Sequence, residues 1–116
     1  MRIASIWLPV EQWQAAKRFY GELLGLEMSA CDDGVGRATF ATGGGPPLVL
    51  ARMPERSAQA GGTVVRLECE SVDALKRRLS EAGMRVEPHL LESRATRVLR
   101  FYDPDGNCLE AIERVV

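Results

Sequence analysis

Hydrophobic and polar positions alternate along the chain in an order that occurs twice. Residues 2 to 10 (RIASIWLPV) form a nearly apolar run of β-formers that stops at Glu11, which predicts a first strand buried on both faces. From Gln12 to Leu24 the apolar residues Trp13, Ala16, Phe19, Tyr20, Leu23 and Leu24 fall at helical spacing, and Gly25 supplies a left-handed stop. Three shorter strand-like pieces follow, Leu26 to Cys31, Val35 to Thr42 and Leu48 to Met53, divided by Asp32-Asp33-Gly34 and by a GGGPP turn. After an aperiodic connector, residues 54–62, the pattern starts again. Thr63 to Cys69 reads as a strand, and Ser71 caps a helix whose Val72, Leu75, Leu79 and Ala82 share one face before Gly83 closes it. Met84 to Glu87, Thr96 to Tyr102 and Cys108 to Val115 complete the set. The last two are joined by Asp103-Pro104-Asp105-Gly106, with Pro second in a turn and Gly at a positive φ. The order βαβββ thus appears in module 1, about residues 1–54, and in module 2, about residues 63–116. Ala15-Ala16-Lys17-Arg18 lines up with Ala74-Leu75-Lys76-Arg77, and Glu11 with Glu70.

Composition narrows the class. A chain of 116 residues, 46% hydrophobic and 27% charged, suits one soluble domain whose core needs neither disulfides nor a structural metal. Its net charge of −1, with both signs spread along its length, argues against a nucleic-acid or membrane partner, and Lys76-Arg77-Arg78 reads as a solvated helix face. Cys31, Cys69 and Cys108 are odd in number and form no CxxC, so reduced and mostly buried thiols are expected. Pro9, Glu11 and Gln12 cut the opening apolar stretch short, and no run is long enough to span a bilayer, which points to a cytoplasmic protein. The lone His89 has no oriented neighbour and reads as an edge or surface residue, while GGGPP lacks the Gly-Lys-Ser/Thr ending of a phosphate loop.

Two segments go beyond pattern: FYGELLGLEM (Phe19 to Met28) and FYDPDGNCLEAIE (Phe101 to Glu113). Together they resemble the vicinal oxygen chelate superfamily, the group of glyoxalases, bleomycin resistance proteins and extradiol dioxygenases, along essentially the whole chain. The resemblance implies an α+β fold, one glyoxalase/bleomycin resistance-like domain over residues 1–116 in which two βαβββ modules form a cupped mixed sheet. It also implies a homodimer, either side by side or swapped. Chelating members of that family take metal ligands from the first and last strands of each module, and the matching positions here are Ser5, Leu50, Val64 and Glu110. Only Glu110 is a competent donor, since a serine hydroxyl is a poor partner for a divalent cation and valine and leucine offer none. The expectation is a protein without a metal cofactor, the alternative being a divalent metal ion held by ligands elsewhere.

Strand alternation extends these positions into a surface. If Ser5 faces the cleft, Ile3 and Trp7 share that face while Ala4, Ile6 and Leu8 pack under the helices. Arg66 and Glu68 accompany Val64, Cys108 and Ile112 accompany Glu110, and Arg37, Thr39, Arg100 and Tyr102 join them. The candidate ligand-binding residues are therefore Ser5, Trp7, Arg37, Thr39, Val64, Arg66, Glu68, Arg100, Tyr102 and Glu110, with Glu110 also the candidate acid or base. Trp7 can stack on a planar ligand, and arginine can pair with a carboxylate or phosphate. Equally, Arg66, Glu68 and Glu110 can satisfy one another across neighbouring strands. The leading reading is a metal-free protein that sequesters or carries an aromatic or conjugated small molecule, similar to the antibiotic-resistance branch of the family. The alternatives are a lyase, isomerase or dioxygenase, metal-dependent or using Glu110, and a dimerising subunit whose cleft is filled by its own side chains.

Overall fold

The computed structural model describes residues 1–52, 64–88, 91–92 and 96–114, and the chain divides into two compact units, Met1–Gln59 and Ala60–Val116. Among the described residues each unit holds a four-stranded mixed sheet and one α-helix. The expected connector, residues 54–62, and His89 lie outside the described residues.

The first unit runs β1 (Ile6–Val10), α1 (Trp13–Arg18), a single π-helical turn (Phe19–Leu23), β2 (Glu27–Asp32), β3 (Arg37–Ala41) and β4 (Leu48–Arg52). Its strand order is β1-β4-β3-β2, with β1 parallel to β4 and the other pairs antiparallel. Strand β1 starts four residues later than the apolar run suggests, because its partner β4 begins only at Leu48; the Ile6 N–H donates to the Pro47 carbonyl at 2.9 Å. As an edge strand it is not buried on both faces: Trp7 is 44% exposed, and Ile3 and Ala4, which precede it, are exposed as well. The predicted helix is also interrupted. After Arg18 the chain widens into the π turn, closed by a Leu24 N–H bond to the Phe19 carbonyl at 2.9 Å, and Gly25 at φ 74° then ends it. The wider turn accommodates two consecutive buried rings, Phe19 and Tyr20, packed edge to face at 5.0 Å.

These rings join Val10, Trp13, Ala16, Ala38, Phe40, Leu48 and Leu50 in a core between α1 and its sheet. Each fully buried large apolar side chain in such a core contributes about 1.5–3 kcal/mol. Strand β2 forms the other edge and all six of its residues are exposed. Cys31 is therefore exposed, and Cys69 and Cys108 are half-buried, so the three free thiols are not the buried set expected.

The second unit runs β5 (Val65–Glu68), α2 (Val72–Glu81), β6 (Leu91–Glu92), β7 (Thr96–Tyr102) and β8 (Cys108–Arg114), in the order β5-β8-β7-β6. Strand β5 is parallel to β8, as β1 is to β4. The Ser71 hydroxyl accepts the Ala74 N–H at 3.1 Å, and Glu113 on β8 accepts the Val72 N–H at 2.8 Å, so the helix start is capped twice. Val72, Leu75 and Leu79 are buried against β7 and β8. Met84 to Glu87 is not a strand: it makes one bridge, Val86 to Phe101, flanked by Glu87 N–H to the Arg100 carbonyl and Tyr102 N–H to the Arg85 carbonyl. Pro88 then offers no N–H for a further rung, and the edge strand forms later, at Leu91–Glu92. Between β7 and β8 the Asp103 carboxylate accepts the backbone N–H groups of Asp105 and Asn107 and the Asn107 side-chain amide, while Gly106 takes φ 88°.

Candidate functional site

In each sheet one face packs on its helix and the other turns away, and strand pairing decides which residues share the second face. In the first unit Trp7 is opposite Val49, which is opposite Thr39; Arg37 lies two residues along β3 on the same face, opposite Ala51. Trp7 is held from two sides. Its indole N–H donates to the Ser5 hydroxyl at 2.8 Å, and the Arg37 guanidinium lies 4.5 Å from the ring centre. Such a stacked guanidinium is attracted to the ring by about 0.5–1 kcal/mol at an exposed site. Ser5 therefore stands just before β1 as an acceptor for Trp7, with Thr39 half-buried nearby in the register.

Leu50 does not belong to this face. It is fully buried on the helix side, and the pairing Trp7–Val49 in the first sheet corresponds to Arg66–Glu110 in the second. The counterpart of Glu110 is thus Val49, one residue away; a single step along a strand moves a side chain to the opposite face, which internal sequence alignment alone did not resolve.

In the second unit Arg66 on β5, Glu110 on β8 and Arg100 on β7 form one continuous row across three strands. Glu110 is 8% exposed. Its Oε1 lies 3.0 Å from Arg66 Nε, and its Oε2 accepts hydrogen bonds from Arg100 Nη2 at 2.8 Å and Nε at 3.1 Å. The carboxylate raises the Arg100 guanidinium pKa further. Glu68 is not part of this arrangement: it pairs with Arg114 at 2.7 Å, so the expected mutual satisfaction of Arg66, Glu68 and Glu110 is replaced by two arginines on one glutamate. Both Arg66 and Glu68 are exposed, and Val64 is half-buried just before the strand.

Further along the same face, Tyr102 is opposite Cys108 and donates its hydroxyl to Glu87 at 2.8 Å, with the Arg85 guanidinium 3.9 Å from its ring centre. The bond to Glu87 raises the phenol pKa by favouring the protonated form, and burial raises that of the Cys108 thiol. Arg85 and Glu87 were not among the sequence candidates. They were legible only as part of a short run after the helix, whose single bridge to Phe101 brings them beside Tyr102.

Among the described residues no three His, Cys, Asp or Glu side chains converge in a way that could hold a metal ion, and no helix is long and apolar enough to cross a membrane.

The profile of the Glyoxalase/Bleomycin resistance protein/Dioxygenase superfamily matches residues 2–111. Among solved structures, an antibiotic binding protein from Streptomyces sp. CB03234 is similar at 28% identity and a TM-score of 0.78, over 98% of this chain and 96% of its own. A lactoylglutathione lyase from Agrobacterium tumefaciens is similar at 25% identity and a TM-score of 0.74, over 96% of this chain and 92% of its own. A genomically encoded fosfomycin resistance protein from Listeria monocytogenes shares the fold at 16% identity and a TM-score of 0.80, over 100% of this chain and 95% of its own. No curated protein sequence matches the chain.

Proposed function

Since the chain belongs to the Glyoxalase/Bleomycin resistance protein/Dioxygenase superfamily, we propose that it is a metal-free member that sequesters or carries an aromatic or conjugated small molecule. The observation that carries this reading is the state of Glu110. A divalent ion needs several oxygen or nitrogen donors around it, and at the family's ligand positions this chain offers Ser5, Val49, Val64 and Glu110. The one carboxylate has both oxygens engaged by guanidinium groups, which repel a cation and compete for the same lone pairs. These residues do not fit the group. With three guanidinium contacts on a side chain only 8% exposed, Glu110 gives a substrate proton little access, which speaks against it as a general base.

Trp7 supports the aromatic part of the reading. An exposed indole, fixed at its N–H by Ser5 and flanked by Arg37, is a stacking surface that loses little freedom when a planar ligand lands on it. A similar structure at 28% identity is an antibiotic binding protein, which supports the small-molecule part of the reading. On this reading the protein acts in the cytoplasm as a homodimer.

The experiment is a thermal-shift and fluorescence screen of aromatic antibiotics and conjugated metabolites against metal-free protein, run with Trp7→Phe in parallel. A binder raises the melting temperature, by about 2.7 kcal/mol of added stability at a hundred times its Kd, and changes a fluorescence signal that Trp7→Phe removes. Stoichiometric transition metal in the purified protein, together with ligand-independent turnover lost on its removal, would replace this reading with an enzymatic one.

A further inference from the structure

The row Arg66–Glu110–Arg100 carries more positive charge than the burial of one carboxylate requires. A single bidentate arginine satisfies a carboxylate; here two guanidinium groups share one, and they stand at 50% and 42% side-chain exposure above a glutamate that is nearly buried. Arg66 approaches Glu110 through Nε, and Arg100 bonds it through Nε and Nη2, so the two half-exposed guanidinium groups, with five N–H donors each, have more donors than one carboxylate can use. The surroundings do not cancel the excess. On this face Arg114 pairs with Glu68, while Arg85 and Glu87 both contact Tyr102, one at its ring and one at its hydroxyl, so four arginines stand against three glutamates in a chain whose net charge is −1.

We propose that Arg66 and Arg100 form a subsite for an oxyanion, the carboxylate or phosphate-type group of a small-molecule ligand, and that Glu110 positions the pair. The inference rests on the small-molecule reading above and names the ligand class. Glu110 offsets the repulsion between two like charges and locks their rotamers from below. The remaining N–H groups are then oriented toward an incoming anion before it arrives, which lowers the ordering cost of binding. A ligand with one negative charge neutralises the row.

The test compares matched acids and amides, benzoate with benzamide and 2-naphthoate with 2-naphthamide, with inorganic phosphate as a competitor, by calorimetry on the full chain. The expected result is that each acid binds roughly tenfold or more tightly than its amide, the gap expected of one charge-assisted contact. Phosphate should compete with the acids only, and Arg66→Gln or Arg100→Gln should remove the acid's advantage over its amide. Arg114→Gln, an exposed arginine on the same face already matched by Glu68, should leave both affinities unchanged, which separates a specific subsite from general surface charge. Glu110→Gln should weaken acid binding although it removes a negative charge, because the pair loses its anchor; tighter acid binding in that variant would overturn the positioning role. Equal binding of acids and amides overturns the oxyanion subsite and leaves the small-molecule reading standing. No binding of any probe, together with a blank antibiotic and metabolite screen, overturns both.

Discussion

Trp13 donates its indole N–H to Asp33 Oδ1 at 2.7 Å, which ties the first residue of α1 to the turn between β2 and β3. Lys17 reaches the same oxygen at 2.6 Å from one helical turn along, and its ammonium and the Arg52 guanidinium lie 5.5 and 5.4 Å from the centre of the Trp13 ring. One exposed carboxylate thus joins a helix to a loop that the strand pairing alone would leave loosely attached.

The bonds from Lys17 and then Trp13 lower the Asp33 pKa from 3.8 to about 2. Between those values the unfolded chain binds more protons than the folded one, so this contribution to stability is complete above 3.8 and is lost as pH falls through about 2. In acid unfolding curves Asp33→Asn should flatten that part of the profile. A variant profile parallel to wild type would mean the carboxylate is not held as described.

Glu110 ties three strands together. Removing it by Glu110→Ala should cost about 1.5–3 kcal/mol, the range for charged hydrogen bonds, measured by urea unfolding. Half-exposed arginines can rehydrate, which keeps the cost below that of a deeply buried pair. A variant as stable as wild type would show that the charges merely cancel their own desolvation.

Two glycines of the first unit separate strain from crowding. Gly36 sits at φ 85° with the position of a Cβ only 2.7 Å from Arg52 Cβ, whereas Gly43 sits at φ 72° with nothing within 4 Å. Both substitutions to alanine should cost about 1 kcal/mol or more for the positive φ, and Gly36→Ala should cost more because β4 must also shift. Thermal unfolding of the two variants side by side checks the order.

Ser71→Ala removes the acceptor for the Ala74 N–H and should destabilise by about 1 kcal/mol. Because Glu113 accepts the neighbouring Val72 N–H, combining Ser71→Ala with Glu113→Ala removes both acceptors from one helix start and should cost at least the sum of the two single changes. A double-mutant cycle in urea measures the departure from that sum.

Thiol alkylation should follow exposure. Burial is the largest cause raising all three thiol pKa values, so exposure decides the order, and Cys31, on the exposed edge strand β2, should react with iodoacetamide before the half-buried Cys69 and Cys108. Mass spectrometry of a partially alkylated sample gives the order directly.

The sequence by itself determined the order of the strands and helices other than β6, the bounds of β7, the cap at Ser71, the turn from Asp103 to Gly106 and the family, because these depend on local periodicity and on residues adjacent in the chain. Tertiary structure decided what depends on a distant partner. Strand β1 starts where β4 can first receive it, and Met84 to Glu87 falls short of a strand because only one rung finds Phe101. The partner of Glu110 also changed: residues thirty or more positions apart compete for the same carboxylate, and only the pairing of β5, β8 and β7 brings Arg66 and Arg100 to it while leaving Glu68 to Arg114. Side-chain chemistry can be read along a chain, but which charges meet is set by strand register, where a shift of one residue turns every side chain to the other face.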